Sequence, residues 1–180
     1  MRVLHCIATM GGGGAERQLC YLASGLVARG HDVTVALQRG GPNLARLEAS
    51  GARVTWVGDT RASDPRLFVR VARAMRAWGA AIVQTWLPRM DLVAGAAALA
   101  QGLPWVLTER NTPAESGGRA RDVLGRLAAA VVANSRSGAA EWERRGGGAS
   151  CRSRTPHPSR RSTPRRSRTC LRSGCPPTRR

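Results

Sequence analysis

Residues 11–14 are four consecutive glycines, set between Met10 and the pair Ala15-Glu16. Glycine adopts positive φ freely and lets backbone N–H groups come close to a ligand. A helix starting just after such a run adds partial positive charge, and phosphate is then a natural guest. The plainer alternative is a flexible strand-to-helix turn. A Walker loop, GxxxxGK[ST], needs a lysine, and the chain has none. The dinucleotide fingerprint GxGxxG needs a third glycine. Counted from Gly11 that place holds Glu16, and counted from Gly12 it holds Arg17. Gln38 and Arg39 close the next apolar run where an acid for a ribose would stand. Arg39 suits a 2′-phosphate, so an NADP- or nucleotide-binding Rossmann module stays as an alternative reading.

The elements that must position this loop follow from hydrophobic period. Val3–Ala8 reads as a buried strand, and Ala15–Ala28 as a helix with Gly30 at its C-terminal cap. Asp32–Leu37, Val54–Val57, Ala81–Trp86, Trp105–Thr108 and Val131–Ala133 read as further strands. Helices are expected at Asn43–Ala49, Pro65–Trp78, Met90–Ala100 and Arg119–Ala129, with a last one capped by Ser135 and running to Arg145. Such alternation predicts an α/β fold: a Rossmann-like, doubly wound, mostly parallel sheet with helices on both faces. Ligands of such sheets bind beyond the carboxyl ends of the strands, where the strand order reverses. The loops Thr9–Gly14, Trp86–Arg89 and Glu109–Gly118 are therefore the candidate site.

Charge divides the chain of 180 residues in two. Residues 1–148 carry 19 basic and 11 acidic side chains, and residues 149–180 carry 10 arginines and no acid. Arginine, serine, proline and threonine fill 25 of those last 32 positions. A stretch of that composition cannot form a core, so it is expected to be a disordered tail. Its arginines could contact nucleic acid or phospholipid phosphates, but it lacks the aromatics that stack bases. Every basic residue is arginine, which points to a GC-rich coding sequence. Cys6 and Cys20 lie in apolar runs and read as small hydrophobes. Cys151, Cys170 and Cys175 make no zinc pattern, so no metal is expected. No signal peptide or membrane-spanning run is found, and a cytoplasmic location is expected.

The opening MRVLHCIATMGGGGAERQLCYLASGLVARGHDVTVAL resembles the start of glycosyltransferase family 4 proteins. AAIVQTWLPRMDLVAGAAALAQGLPWVLTERN and VVANSRSGAAEWERRG are similar to later segments of the same N-terminal domain, in the same order. The resemblance covers about residues 2–146 and implies a single N-terminal, acceptor-side domain of GT-B fold, here bounded at 1–148. It implies transfer of a sugar from a nucleotide-sugar, a substrate rather than a cofactor, to a lipid-linked, polysaccharide or small-molecule acceptor. Gly11, Gly12, Gly13 and Gly14 would approach the donor phosphates and the reacting sugar, and Glu109, Arg110 and Asn111 would border the acceptor. Many relatives carry a histidine at that acceptor loop, and this chain has none.

Other residues carry expectations of their own. Trp86 ends a strand at the expected cleft and could stack on a sugar or be core. Arg110 could fork onto a phosphate or pair with a helix acid. His5 is expected in the core, and His31 lies at the opposite rim. Glu16 is expected to serve the helix dipole, and Ser135 to be an N-cap. The helix 119–129 is basic and amphipathic, so it presents either a solvated face or a peripheral contact with the inner face of an anionic membrane.

Family 4 proteins continue into an asparagine-glycine linker and a second domain whose paired glutamates bind the donor. From residue 146 this chain runs GGGASCRSRTPHPSRRSTPRRSRTCLRSGCPPTRR instead. A one-base slip in a GC-rich gene produces such a composition, so a frameshift near codons 146–151 is expected, and the chain alone is expected to be inactive. A genuine basic tail is the rival.

Overall fold

The computed structural model describes residues 1–61, 64–109 and 118–146, with the backbone of 150–152. The chain forms β1 (Arg2–Thr9), α1 (Gly14–Val27), β2 (Asp32–Arg39), α2 (Leu44–Glu48), β3 (Arg53–Trp56) and α3 (Pro65–Trp78). It continues with β4 (Ile82–Trp86), α4 (Pro88–Leu99), β5 (Trp105–Glu109), α5 (Gly118–Gly125), β6 (Ala130–Ala133), α6 (Arg136–Arg144) and β7 (Ser150–Arg152). The strands form one sheet in the order β3-β2-β1-β4-β5-β6-β7, with every pair parallel. The order reverses between β1 and β4, the switch point of a Rossmann-like sheet.

Each face of the sheet carries its own core. On one, Leu4, Cys6, Val83 and Leu107 meet Leu67, Val71 and Met75 of α3, Ala94 and Ala98 of α4, and Trp142 of α6. On the other, Ile7, Val33, Val35 and Leu37 meet Leu19, Cys20 and Ala23 of α1 and Leu47 of α2. The alternation along β1 and β2 feeds both faces, and continuous apolar runs are what two-sided burial requires.

Local signals fix the helix ends. Asp64 caps α3 by accepting from the Arg66 amide at 2.8 Å, Pro65 opens its first turn, and Gly79 closes it at φ 64°. Ser135 caps α6 by accepting from the Gly138 amide at 3.0 Å, as its sequence position predicted.

Two boundaries differ from the sequence reading. α5 ends at Gly125 rather than near Ala129, because Arg126, Leu127 and Ala128 donate to carbonyls three residues back and tighten the chain into a turn before β6. Ser150–Arg152 pairs with Val131–Ala133 as a seventh strand, so the sheet passes the boundary drawn at residue 148. A strand added at a sheet edge needs backbone groups and not apolar side chains, so composition gave no sign of it. Residues 153–180, where the disordered tail was expected, lie outside the described residues.

Candidate functional site

β1 ends at Thr9, in register with Arg39 of β2. The chain then leaves the sheet, and the loop after β2 holds it. The Met10 amide donates to the Arg39 carbonyl at 3.3 Å, and the Asn43 amide donates to the Met10 carbonyl at 3.1 Å. The Asn43 side-chain amide donates to the Gly11 carbonyl. The loops approach so closely that a Cβ on Gly41 would stand 2.6 Å from the Met10 carbonyl carbon. Only glycine fits there.

The four glycines divide into two pairs. Among the described residues, a Cβ on Gly12 or Gly14 would meet nothing within 4 Å. A Cβ on Gly13 would stand 2.5 Å from Glu16 Oε2, and one on Gly11 would stand 3.2 Å from Glu16 Oε1. Glu16, in the first turn of α1 and only 7% exposed, therefore folds its carboxylate back over the loop. The N-cap of α1 is Gly13, which makes no side-chain capping hydrogen bond. The open pair, Gly12 and Gly14, leaves the loop backbone accessible to a ligand at the helix N-terminus.

Across the switch point lies the β4–α4 loop. Leu87 sits at φ 71° and ψ 150°, a region costing a non-glycine residue on the order of 1–3 kcal/mol. It turns the chain so that Pro88 opens α4 and Arg89 reaches the Thr60 carbonyl. Gln38 donates to the carbonyls of Gly58 and Thr60 at 3.1 and 2.9 Å. Arg39, the candidate for a 2′-phosphate, pairs with Asp59 at 3.5 Å, both largely exposed.

Trp86 is 2% exposed, and its indole N–H donates to His5 Nδ1 at 3.4 Å. Its ring lies in the α1-side core with Ile7, Met10 and Leu37. In this conformation it has no open face for a sugar, and the core half of its sequence reading describes it. His5 is fully buried, and burial lowers its imidazole to about 4. Burial also pushes the Cys6 thiol up to about 12.

Glu109 ends β5 at 5% exposure and accepts from Arg121 Nη1 at 2.6 Å. Arg121 Nε donates to Asp91 Oδ2 at 2.6 Å, and Thr85 Oγ1 donates to Asp91 Oδ1 at 2.5 Å. Trp105 completes the network by donating to Thr85 Oγ1 at 2.8 Å. Burial raises the Asp91 carboxyl to about 6 against the pull of Arg121. Burial alone disfavours the Arg121 charge, but Asp91 and Glu109 outweigh it and raise its pKa. Glu109 is thus bound into an internal ion network. Arg110 and Asn111 lie outside the described residues.

The sequence reading missed Arg121 and Asp91. The signal was present: each stands in the apolar stripe of its helix, Arg121 with Leu124 and Gly125, Asp91 with Ala94 and Ala98. A charge in such a stripe implies a buried partner.

The family model described as Glycosyltransferase Family 4 matches residues 12–155. The chain belongs to Glycosyltransferase Family 4. The match begins inside the glycine loop and runs through β7, and the fold is that of a single GT-B N-terminal domain. Among solved structures, the family 4 chain is similar to Anabaena Alr3699/HepE in complex with UDP, at 20% identity and a TM-score of 0.70 over 85% of this chain and 43% of that one. The same protein in complex with UDP-glucose gives 20% identity and 0.69 over the same shares. MurG of Acinetobacter baumannii gives 18% and 0.58 over 74% of this chain and 41% of that one. At these identities the likeness shows the fold alone. The chain spans less than half the length of these relatives. No curated protein matches it significantly. Among the described residues no helix is long and apolar enough to cross a membrane.

Proposed function

We propose that this family 4 chain is the acceptor-side half of a two-domain glycosyltransferase, with Gly11–Gly14 facing a nucleotide-sugar. The observation that carries the reading is the placement of that loop. It lies at the switch point, ahead of a helix N-terminus, with Gly12 and Gly14 clear of the other described residues. Arg110 and Asn111 complete the acceptor side on the family pattern, with Glu109 holding the end of β5 from which they depart. Transfer needs donor and acceptor held together in a dry cleft. Residues 1–180 alone are therefore expected to turn over no substrate, the donor being held mainly by a second domain encoded in another frame beyond codon 146. The reaction in this reading uses no metal and no cofactor.

A peripheral contact with the inner face of an anionic membrane belongs to the same reading. Val123 of α5 and Leu127 of the turn that follows it are 60% and 64% exposed, with Arg119 and Arg126 also exposed.

Backbone amide spectra of the labelled chain, titrated with UDP-glucose and separately with NADPH, test the loop assignment. The reading expects UDP-glucose to shift Gly11–Gly14 and Leu87–Arg89. Shifts caused by NADPH at Gln38 and Arg39, with none from UDP-glucose, would establish the dinucleotide alternative instead.

A further inference from the structure

Three buried polar atoms without a hydrogen-bond partner gather around one carbonyl at the carboxyl end of the sheet. They are Gln38 Oε1, Thr60 Oγ1 and Arg89 Nε. Gln38 follows Ala36 by two residues along β2, so it stands on the face that packs against α3 and α4, and it is 5% exposed. Its Nε2 donates to the Thr60 carbonyl at 2.9 Å, and Arg89, in the first turn of α4, donates to the same oxygen from Nη2. The end of β2, the β3–α3 loop and the start of α4 therefore meet at Thr60.

Arg89 brings a charge to this point without an acid to answer it. Among the described residues no carboxylate pairs with it, and Asp59 of the same loop pairs with Arg39 at 3.5 Å. A half-buried guanidinium held by a neutral carbonyl gains when an anionic oxygen takes that place, because charge-assisted hydrogen bonds are about twice as strong. A buried water can satisfy single polar atoms, but it brings no charge. The spare capacity is specific: Gln38 Oε1 accepts, Arg89 Nε donates, and the Thr60 hydroxyl does either. A hydroxyl beside an anionic oxygen matches that set.

We infer that Gln38, Thr60 and Arg89 form an acceptor subsite for an acidic sugar, one that carries a phosphate or a carboxylate next to a free hydroxyl. The inference rests on reading this domain as the acceptor-side half of a glycosyltransferase. The anion takes Arg89 from the Thr60 carbonyl, and the hydroxyl donates to Gln38 Oε1. All three spare atoms are closed to water in this conformation, so the β3–α3 loop gives way as the ligand enters.

The test is a set of amide and side-chain titrations of the labelled full chain with glucose-6-phosphate, glucuronate, glucose and inorganic phosphate, with UDP-glucose in parallel. One or both acidic sugars are expected to shift Thr60, the Gln38 side-chain amide and the Arg89 Nε–H, and the stronger of the two names the anion. Arg89→Gln and Arg89→Lys, each checked by thermal melting, should weaken that binding by about tenfold or more, the scale of a lost hydrogen bond to a charged group. Arg73→Gln, on the exposed face of α3, should leave it unchanged. An equal response to glucose, or an equal loss in Arg73→Gln, would overturn the inference. Inorganic phosphate binding as well as glucose-6-phosphate would show an adventitious ion only and overturn it too. If UDP-glucose shifts Gly11–Gly14 while neither acidic sugar moves the cluster, this inference fails and the glycosyltransferase reading stands. If the cluster responds while UDP-glucose leaves Gly11–Gly14 unmoved, the glycosyltransferase reading fails and the acceptor role with it.

Discussion

Arg121 of α5 donates from Nε to Oδ2 of Asp91 on α4 at 2.6 Å, with both side chains almost wholly out of water. The other arm of the guanidinium reaches Glu109 at the end of β5. One cation therefore joins two helices and a strand beside the carboxyl end of the sheet. Replacing it by an apolar residue leaves two buried carboxylates facing each other. Arg121→Met is expected to lose about 3–5 kcal/mol in urea unfolding at neutral pH. Adding Asp91→Asn should recover part of that loss, because one of the stranded charges is gone. A loss under about 1 kcal/mol would show that the network contributes little.

Two buried titrations pull stability in opposite directions. His5 falls from 6.5 to about 4 on burial, so the unfolded chain takes the proton first and stability is lost as pH falls from about 6.5 to 4. Asp91 rises from 3.8 to about 6, so the native chain takes the proton first and stability is gained as pH falls from about 6 to 4. Each effect has a ceiling of about 3 kcal/mol, and together they nearly offset. His5→Leu removes only the first, at a constant cost of about 1 kcal/mol for the Trp86 hydrogen bond. The variant should therefore gain on wild type as pH drops from 7 to about 4.5 in urea midpoints. A pH-independent difference would contradict the assignment.

Glycine substitutions should separate fold from ligand. Gly41→Ala drives a Cβ into the Met10 carbonyl and is expected to cost about 1–3 kcal/mol. Gly12→Ala enters open space at ordinary φ and should change stability by less than about 0.5 kcal/mol. The same methyl should weaken UDP-glucose binding severalfold by titration calorimetry, because it stands where the ligand approaches. Unchanged affinity in Gly12→Ala would remove the ligand from that side of the loop.

The arginines after residue 152 give a prediction that needs no folded tail. Any duplex binding by the chain should fall by about a thousandfold or more between about 50 and 200 mM salt, and should vanish when residues 153–180 are removed. Sequence-selective binding that survives the deletion would contradict this.

The alternation of apolar runs with amphipathic stretches made the sheet and its helices legible in the sequence. Local punctuation at Pro65 and Ser135 placed the starts of α3 and α6 well. What stayed hidden was non-local. Arg121 looks like Arg119 until Asp91 and Glu109 are brought to it across 30 and 12 residues of sequence. The Glu16 carboxylate was expected to serve the helix dipole, and nothing in its spacing shows that it folds back against Gly13. Leu87 carries a positive φ at a position no composition rule would give to leucine, because the tight step from β4 into α4 imposes it. Trp86 illustrates the limit from the other side: its place at a strand end suggested a ligand platform, while the pleat turns it toward α1 and His5.

The central claim, that this is the N-terminal half of a two-domain glycosyltransferase, is tested most directly on the gene. Codons 140–160 would be resequenced and all three frames translated for several hundred codons beyond. The account predicts another frame with an asparagine-glycine linker, alternating strands and helices, and paired glutamates of a donor-binding domain. Three frames that are closed or patternless would contradict it.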